Sequence, residues 1–492
     1  MRRIPTSFPT SFPTILAVVT ALGGCAGIKA PDAGNNASGG NGGTGARSGG
    51  PGGTGVRPDG GINPGGGCQN LQCQQTSCTQ GNCQQHACPN AGKTTVSGTV
   101  YDPGGRNPLY NVIVYVPNSA LAPIKEGLSC DQCNGTATGS PIASALTDAT
   151  GHFVLDNAPV GSDIPLVIQI GKWRRQVAIP SVTACQDNPV TDADHSLLRL
   201  PANQSEGHLP KIALATGHSD ALDCLLRKIG IADSEFTPDS GSGRVSMFVG
   251  GDGGSGTGAN QLASGAKFAD AYTTLYASYD KLASYDILIL QCEGSQLASM
   301  KMPYLVNMRR YADNGGRIFD EHLHSYWIAH GLPPWPTSAA WLQSIDSGAV
   351  TTLTGTIDTS FPKGAALADW LQSVQATTTR GQISLTATEH SVDAPVLPTQ
   401  KWISTPGDSH TQYLTFNTPI EAPVASQCGR VVFTDLHVGS GGGVSHFDTP
   451  FPTGCSSSLM MSAQEKALEF MFFDLSSCVQ PESVTPTPVP IP

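Results

Sequence analysis

Two short segments of the chain carry side chains that could bind a metal ion or transfer protons. The first holds Glu321, His322 and His324, and the second holds Asp435 and His437. Two imidazoles and a carboxylate form a familiar ligand set for zinc or ferrous ion, and an open position on the metal would activate water. These residues predict one divalent metal, such as zinc, bound by His322, His324 and His437.

The same residues allow two other interpretations. His322 or His437 could act as a metal-free general base with Asp435 or Glu321 as its carboxylate partner, because imidazole titrates near physiological pH. Alternatively, these side chains hydrogen-bond the ends of strands in a domain that catalyses nothing. The candidate catalytic residues are therefore His322, His437, Asp435 and Glu321.

Both segments follow apolar strands in a part of the chain where strands alternate with amphipathic helices. The predicted strands lie at 212–215, 245–249, 287–290, 317–319 and 431–433. This alternation indicates a parallel sheet covered by helices on both faces. Such sheets bind ligands beyond the carboxyl ends of their strands. His322 and His324 would face the same side of an extended segment, because side chains alternate along it.

The α/β stretch resembles class I glutamine amidotransferase-like domains, and within them the ThuA-like branch. The segments that carry the resemblance are 284–290, 311–319 and 429–437. The resemblance covers about 207–478, with an irregular insertion at about 331–425. It implies a flavodoxin-like fold.

In glutaminases of this superfamily, a nucleophilic cysteine occupies a sharp elbow after a strand. The corresponding elbow falls at 320–324 and contains no cysteine, so glutamine hydrolysis through a thioester is not expected. Cys292 follows a different strand, and the sequence places no base beside it. A buried or disulfide-bonded cysteine is the expectation there.

Residues 93–200 have short runs of alternating apolar residues separated by turns, which predict an all-β sandwich. They resemble the carboxypeptidase regulatory-like domain, a seven-stranded, transthyretin-like sandwich related in shape to carbohydrate-binding modules. The matching segments are 96–102, 107–109, 112–114 and 147–161.

Two features within this β-domain have both a functional and a structural interpretation. Trp173 and Arg174 could bind a sugar by stacking and hydrogen bonding, or they could cover an edge of the core. Cys130 and Cys133 could be a redox pair, but their position in a β-domain loop favours a structural disulfide.

The N-terminus has the plan of a secretory signal, with two arginines followed by an apolar stretch too short to span a membrane. Residues 22–25, Leu-Gly-Gly-Cys, resemble a lipobox. This predicts a lipoprotein signal peptide over 1–25 and an N-terminal lipid on Cys25 that holds the protein to the membrane. A cleaved signal with a soluble product is the alternative. Ala26 follows the cysteine at the position where lipoproteins retained in the inner membrane often have Asp. The resemblance therefore implies an outer-membrane location.

Three low-complexity segments flank the predicted domains. Residues 26–67 are rich in Gly, Asn and Ser, which predicts a disordered tether. Residues 68–92 repeat cysteine every five positions, which favours a disulfide-stapled spacer over a metal-binding knot. The Pro-rich residues 479–492 predict an extended, disordered tail.

Composition limits the partners. The formal net charge of −11 argues against nucleic acid. Of the 14 cysteines, one is the predicted lipidation site, and the odd remainder leaves a thiol free or paired with another chain.

These features predict a multidomain outer-membrane lipoprotein of the cell envelope, with a small all-β sandwich followed by a flavodoxin-like α/β domain with a parallel sheet. The leading hypothesis for its function is surface recognition of a carbohydrate or another envelope component. The alternative is an extracytoplasmic metal- or histidine-dependent hydrolase, and a third is a purely structural role.

Overall fold

In the computed structural model of the chain, the described residues are 84–251, 258–346, 352–386, 388–408, 410–438 and 449–489. All of them belong to one compact unit, Asp59–Pro492. The predicted lipidation site Cys25, the tether 26–67 and the first four cysteines of the repeat lie outside the described residues. Within the described ranges, no helix is long and apolar enough to cross a membrane.

The first part of the described chain contains β-strands arranged in two small sheets. Strands β4, β1 and β7 form one sheet in that order, and β3, β2, β5 and β6 form the other. Their bounds are β1 Thr95–Thr99, β2 Ile113–Pro117, β3 Pro141–Leu146, β4 His152–Asp156, β5 Gly161–Ile170, β6 Trp173–Val182 and β7 Asp187–Pro189. Strand β4 buries Phe153 and Leu155 and exposes the residues between and beside them, which is the alternation expected of a strand with one face on a core.

The second part of the described chain contributes an eleven-stranded sheet and a separate pair, β14 with β17. The order across the large sheet is β11, β10, β8, β12, β13, β20, β19, β18, β15 and β16, with β9 beside β10. The strand bounds are β8 Ile212–Thr216, β9 Phe236–Pro238, β10 Val245–Val249, β11 Ala269–Asp270, β12 Ile287–Leu290, β13 Arg317–Glu321, β14 Ala339–Asp346, β15 Leu353–Ile357, β16 Gln382–Leu385, β17 His390–Pro395, β18 Gln400–Ser404, β19 Thr411–Thr418 and β20 Gly429–Thr434.

Seven α-helices are found among the described residues. They are α1 Leu222–Ile229, α2 Tyr279–Ala283, α3 Ala298–Lys301, α4 Leu305–Asp313, α5 Tyr326–Ala329, α6 Pro362–Ser373 and α7 Ala463–Ser476. The residues at two helix ends explain where those helices stop or begin. Helix α1 stops at Gly230 with a left-handed φ of 107°, which glycine adopts without steric cost. Helix α7 begins with a capping box between Ser462 and Glu465.

The large sheet changes direction at β20. Strands β8 to β13 and β20 pair in parallel, whereas β20, β19, β18, β15 and β16 pair antiparallel. The expected parallel sheet is thus only the first half of the large sheet. Residues 331–425, expected to be irregular, instead supply the antiparallel strands, so the described chain forms several sheets of mixed direction with helices packed among them.

Disulfides join parts of the chain that are far apart in sequence. Cys130 and Cys133 do not pair with each other, as a redox C-x-x-C motif would. Cys130 bonds Cys428, just before β20, and Cys133 bonds Cys478, just after α7, so both are structural links from the β-strand part to the second part of the chain. The other pairs are Cys88 with Cys185 and Cys224 with Cys455.

The tail after Cys478 is extended, as predicted, but it packs on the protein as far as residue 489. The Glu482 carboxylate forms an ion pair with the fully buried Arg430 and lies 3.7 Å from Nζ of Lys363. The Val489 carbonyl accepts a hydrogen bond of 2.9 Å from the Ser144 hydroxyl. A disordered end is therefore not what these residues form.

Candidate metal centre

A sharp turn follows strand β13, at the edge of the sheet where the sequence places a ligand crevice. His322 has a left-handed φ of 42° and begins the 3-10 helix His322–Ser325. A non-glycine residue in this conformation costs about 1–3 kcal/mol, and such strain clusters at functional sites. The prediction that His322 and His324 share one side of an extended segment is wrong, because the chain coils immediately after β13.

The free thiol of Cys292 lies against this turn. Its Sγ atom is 3.3 Å from Nδ1 of His322, and its backbone N–H donates a 3.1 Å hydrogen bond to Oε2 of Glu321. Strands β12 and β13 are parallel neighbours with Leu290 opposite Asp320, so residues just beyond their ends meet. Cys292 is buried and has no disulfide partner, as one of the two sequence expectations states, but it does have an imidazole beside it.

His437, which follows β20, completes the pairing of imidazoles. Its ring centroid is 5.0 Å from that of His322. The carboxylate of Glu389 lies beside both rings: Oε2 is 3.7 Å from Nε2 of His322, and Oε1 is 4.0 Å from Nδ1 of His437. Sequence reasoning missed Glu389, because it lies in the stretch expected to be irregular.

Five residues make up what we call the strand-end cluster: Asp220, Cys292, Glu321, His322 and His437. One ligand atom each from Cys292, His322 and His437 lies within 4.8 Å of the others, and the same holds for Asp220, Glu321 and His437. Asp220, which sequence reasoning also missed, accepts the Val438 backbone N–H at 2.8 Å.

Burial favours the uncharged forms of four members of the cluster. It raises the pKa of the Cys292 thiol to about 12 and that of Asp220 to about 8. It lowers the pKa of His437 to about 4 and that of His322 well below its usual value. Removing charged groups from water accounts for all four directions.

Several ligand atoms of the cluster have no hydrogen-bond partner among the described residues. They are Oε1 of Glu321, Nε2 of His322 and Nε2 of His437. Buried polar groups are normally satisfied, and Glu321 itself is fully buried. Ligand atoms of Glu321 and His437 lie within 4.8 Å of one another, and a cation bound there would accept such lone pairs.

His324 lies outside the cluster. Its Nδ1 accepts a 3.1 Å hydrogen bond from Nε1 of Trp327, and its Nε2 lies 2.8 Å from the Gln291 carbonyl. Because indole can only donate, Nδ1 is the acceptor and Nε2 carries the proton. Both ring nitrogens are thus used by the protein, so the predicted role of His324 as a metal ligand does not fit its contacts.

Asp435 does not belong to the cluster but bonds the backbone that carries Glu389. Its Oδ2 accepts the Ser391 N–H at 2.8 Å, and its carbonyl accepts the Glu389 N–H at 2.9 Å. Burial raises the pKa of Asp435 to about 7. These bonds fix the backbone on both sides of residue 390, so Asp435 positions the Glu389 carboxylate.

Of the two residues predicted to bind a sugar, Trp173 lies in the core and Arg174 lines a cavity. Trp173 is fully buried, with its ring edge-on to Phe472 and Phe473 of α7 at centroid distances of 6.2 and 5.8 Å. It cannot stack on a sugar from solvent, so that prediction is wrong for Trp173. Arg174 lines a cavity of about 440 Å³ and donates a 3.1 Å hydrogen bond to the Thr138 hydroxyl.

No family model matches the chain, and no curated protein matches it. Among solved structures, a Thermoplasma acidophilum protein described as a "putative gmp synthase subunit a protein" is 12% identical, with 55% of this chain and 96% of that one covered and a TM-score of 0.29. A type II cohesin–X-dockerin complex from Acetivibrio cellulolyticus is 17% identical, with 31% and 79% covered and a TM-score of 0.15. Likenesses this weak carry no argument about the chain's fold or activity.

Proposed function

We propose that this protein is a metal-dependent hydrolase whose strand-end cluster binds one divalent transition-metal ion, with zinc as the first candidate. Cys292, His322 and His437 are the proposed ligands, which leaves the fourth position of a tetrahedral centre open to water. The observation that carries the proposal is the convergence of ligand atoms from Cys292, His322 and His437 within 4.8 Å of one another, with Asp220 and Glu321 grouped around the same His437.

A metal-free cysteine nucleophile explains the same residues less well. The pKa of Cys292 is raised to about 12, whereas that of His322 lies well below its ordinary value. Moving the thiol proton to this imidazole is therefore strongly unfavourable, because burial weakens both the thiol as an acid and the imidazole as a base. A bound metal ion removes this obstacle, since a coordinating thiol is deprotonated outright.

The contact distances suit a tetrahedral centre. Zinc bound to sulfur at about 2.3 Å and to nitrogen at about 2.05 Å places those two ligands roughly 3.6 Å apart. The Sγ to Nδ1 distance between Cys292 and His322 is 3.3 Å. Ligation through Nδ1 leaves Nε2 of His322 facing Glu389 at 3.7 Å, and a carboxylate commonly orients a metal-bound histidine in this way.

A carboxylate beside the proposed ligands gives the site a proton acceptor. A metal centre with an open position lowers the pKa of bound water to about 7. Asp220 offers an oxygen within 4.8 Å of the ligand atoms of both His437 and Glu321. Its backbone contact to Val438 at 2.8 Å holds it there. A bound cation would lower the raised pKa of Asp220 and ionise it, so it is the residue placed to take a proton from water.

The proposal extends to location and domain type. We infer that the protein is exported and held in the outer membrane by a lipid on Cys25, with a carboxypeptidase regulatory-like sandwich followed by a non-glutaminase amidotransferase-like domain. The lipobox at residues 22–25 supports export, and so do the four disulfides of the described residues, because such bonds persist outside the cytoplasm.

One observation favours a recognition role as a second candidate function. The charged side chains that line the cavity of about 440 Å³ are Lys125, Asp131, Lys172 and Arg174, among several neutral polar ones. Three cations against one carboxylate suit a small ligand with a carboxylate, such as an acidic sugar. Calorimetric titration of the full chain with glucuronic acid should show binding that Arg174→Ala removes. If Arg174→Ala binds glucuronic acid as tightly as wild type, this cavity is not the binding site.

The hydrolase proposal is tested with the full-length chain produced in an oxidising compartment. We expect a panel of ester, amide and glycoside substrates to contain at least one that is hydrolysed, with loss of activity after chelation and recovery on adding zinc. His437→Asn should be inactive, whereas the exposed control His152→Asn should retain full activity. Hydrolysis that survives chelation, or survives His437→Asn, would contradict the proposal.

A further inference from the structure

We propose that His390, Asp393 and His410 form a second divalent transition-metal site, separate from the strand-end cluster and open to solvent. We call these residues the surface triad. One ligand atom from each lies within 4.8 Å of the other two. The proposal stands on this geometry and does not depend on the hydrolase activity.

Two strand ends bring the triad together. His390 and Asp393 belong to β17, and His410 immediately precedes β19. The Thr411 hydroxyl donates a 2.9 Å hydrogen bond to the Asp393 carbonyl, which holds the start of β19 against β17. The placement of the three side chains therefore follows from the contact between β17 and the start of β19.

A single carboxylate oxygen serves both imidazoles. Oδ1 of Asp393 is 2.8 Å from Nε2 of His390 and 3.5 Å from Nδ1 of His410. The second distance is at the limit for a hydrogen bond, and Nδ1 of His410 has no hydrogen-bond partner among the described residues. The Asp393 carboxylate thus binds His390, while Nδ1 of His410 lies near the same carboxylate oxygen without bonding it.

The two imidazole rings lie against each other. Their centroids are 3.6 Å apart with a 40° tilt. Each ring can offer a nitrogen lone pair, which a cation could use together with the Asp393 oxygen. A metal ion satisfies all three groups at once.

The donor set and exposure decide the class of ion. Two imidazoles and one carboxylate suit zinc, nickel or copper(II), whereas calcium and magnesium require oxygen ligands. The side chains of His390, Asp393 and His410 are 21%, 50% and 37% exposed, so water can fill the remaining positions and the ion can exchange. The strand-end cluster is buried by contrast, and the two sites should differ in exchange rate.

The test is equilibrium dialysis of the chelator-stripped, full-length protein against Zn²⁺, with bound metal measured by elemental analysis. His390→Gln and His410→Gln should each bind about one equivalent less than wild type at a zinc concentration that saturates the wild-type protein. The exposed His152→Gln is the matched control and should bind as much zinc as wild type. Circular dichroism of each variant checks that the fold is intact.

A third variant separates this proposal from the proposed function. Cys292→Ser with His437→Asn should lose zinc from the strand-end cluster and keep the equivalent that His390→Gln removes. If His390→Gln and His410→Gln both fold and bind as much zinc as wild type, the surface triad is not a metal site. Zinc unchanged in the cluster variant but reduced in the triad variants would support this inference and contradict the hydrolase proposal.

Discussion

The thiol of Cys292 and the imidazole of His322 lie 3.3 Å apart although 30 positions separate them in the chain. Each residue follows a strand of the parallel half of the sheet, and the two strands are hydrogen-bonded neighbours. The pairing of these strands therefore brings the two residues together, and the left-handed turn at His322 orients its imidazole. The strand-end cluster grows from this pair.

Glu389 should control the metal affinity of the cluster without binding the metal itself. Its two oxygens lie 3.7 and 4.0 Å from His322 and His437. Replacing a carboxylate that orients metal-bound histidines typically costs 10–100-fold in affinity. We expect Glu389→Gln to weaken zinc binding by about that factor in competition with a chromophoric chelator, while the exposed control Asp163→Asn binds as wild type does.

Glu389→Gln that matched wild type in this competition would remove Glu389 from the account. A complete loss of zinc together with an altered circular dichroism spectrum would indicate that the substitution perturbs the fold. In that case Glu389→Asp, which keeps the charge and shortens the reach, is the informative comparison.

His324 should matter for stability and not for metal. His324→Ala leaves the Trp327 indole N–H and the Gln291 carbonyl without their partner in a buried space. Each unsatisfied group costs about 1–3 kcal/mol. We expect the free energy of unfolding in urea to fall by roughly 3 kcal/mol while the zinc content is unchanged.

The opposite pattern for His324→Ala would restore it as a ligand. A folded variant with wild-type stability and one equivalent less zinc would mean that the hydrogen bonds of His324 give way to metal binding. His437→Asn, measured alongside, shows what loss of a proposed ligand looks like.

A buried carboxyl group makes the packing between the two parts of the chain pH-dependent. Burial, and then the charge of Asp102, raise the pKa of Glu469 well above its ordinary value. Asn107 donates a 2.6 Å hydrogen bond to Glu469, which joins the turn after β1 to α7. A carboxyl whose folded-state pKa is raised stabilises the fold below its unfolded pKa, and this stability is lost as pH rises through the folded value.

Glu469→Gln isolates this effect, because the amide has similar shape and does not titrate. We expect the unfolding free energy of the variant, relative to wild type, to increase as the pH is raised from 5 to 9. A difference that stays constant over this range would show that Glu469 does not change its protonation on unfolding.

The disulfide between Cys133 and Cys478 should contribute measurably to stability. It closes a sequence separation of 345 residues, and disulfides typically stabilise by about 2–4 kcal/mol. Cys133→Ser with Cys478→Ser should therefore lower the thermal midpoint in the absence of reductant. No change in the midpoint would mean that the neighbouring Cys130–Cys428 bond already holds this part of the chain.

The sequence predicts those parts of the candidate centre that follow recognisable strands. Glu321, His322 and His437 were found because apolar runs at 317–319 and 431–433 precede them. The contacts of His324 do not fit the predicted ligand role, because a pattern of i and i+2 cannot reveal a 3-10 turn. Trp173 was ambiguous, because an aromatic residue on a strand gives no sign of which partner covers it.

The missing members depend on contacts between distant segments. Glu389 reaches the centre only because β17, which follows it, is tied to Asp435 by the Ser391 N–H. Asp220 lies in the loop after β8. Because many loops contain an aspartate, the sequence does not distinguish this one. The antiparallel half of the sheet escaped prediction because its strands lie in a stretch without clear alternation with helices.

The most direct test of the account is the absorption spectrum of the cobalt-substituted, full-length protein beside that of Cys292→Ser. Ligation by Cys292 predicts a near-ultraviolet sulfur-to-cobalt charge-transfer band that disappears in Cys292→Ser and persists in His390→Gln, because the surface triad has no sulfur. A band that remains in Cys292→Ser, or its absence from a wild-type protein that has taken up cobalt, would contradict a metal centre built on Cys292 and His322.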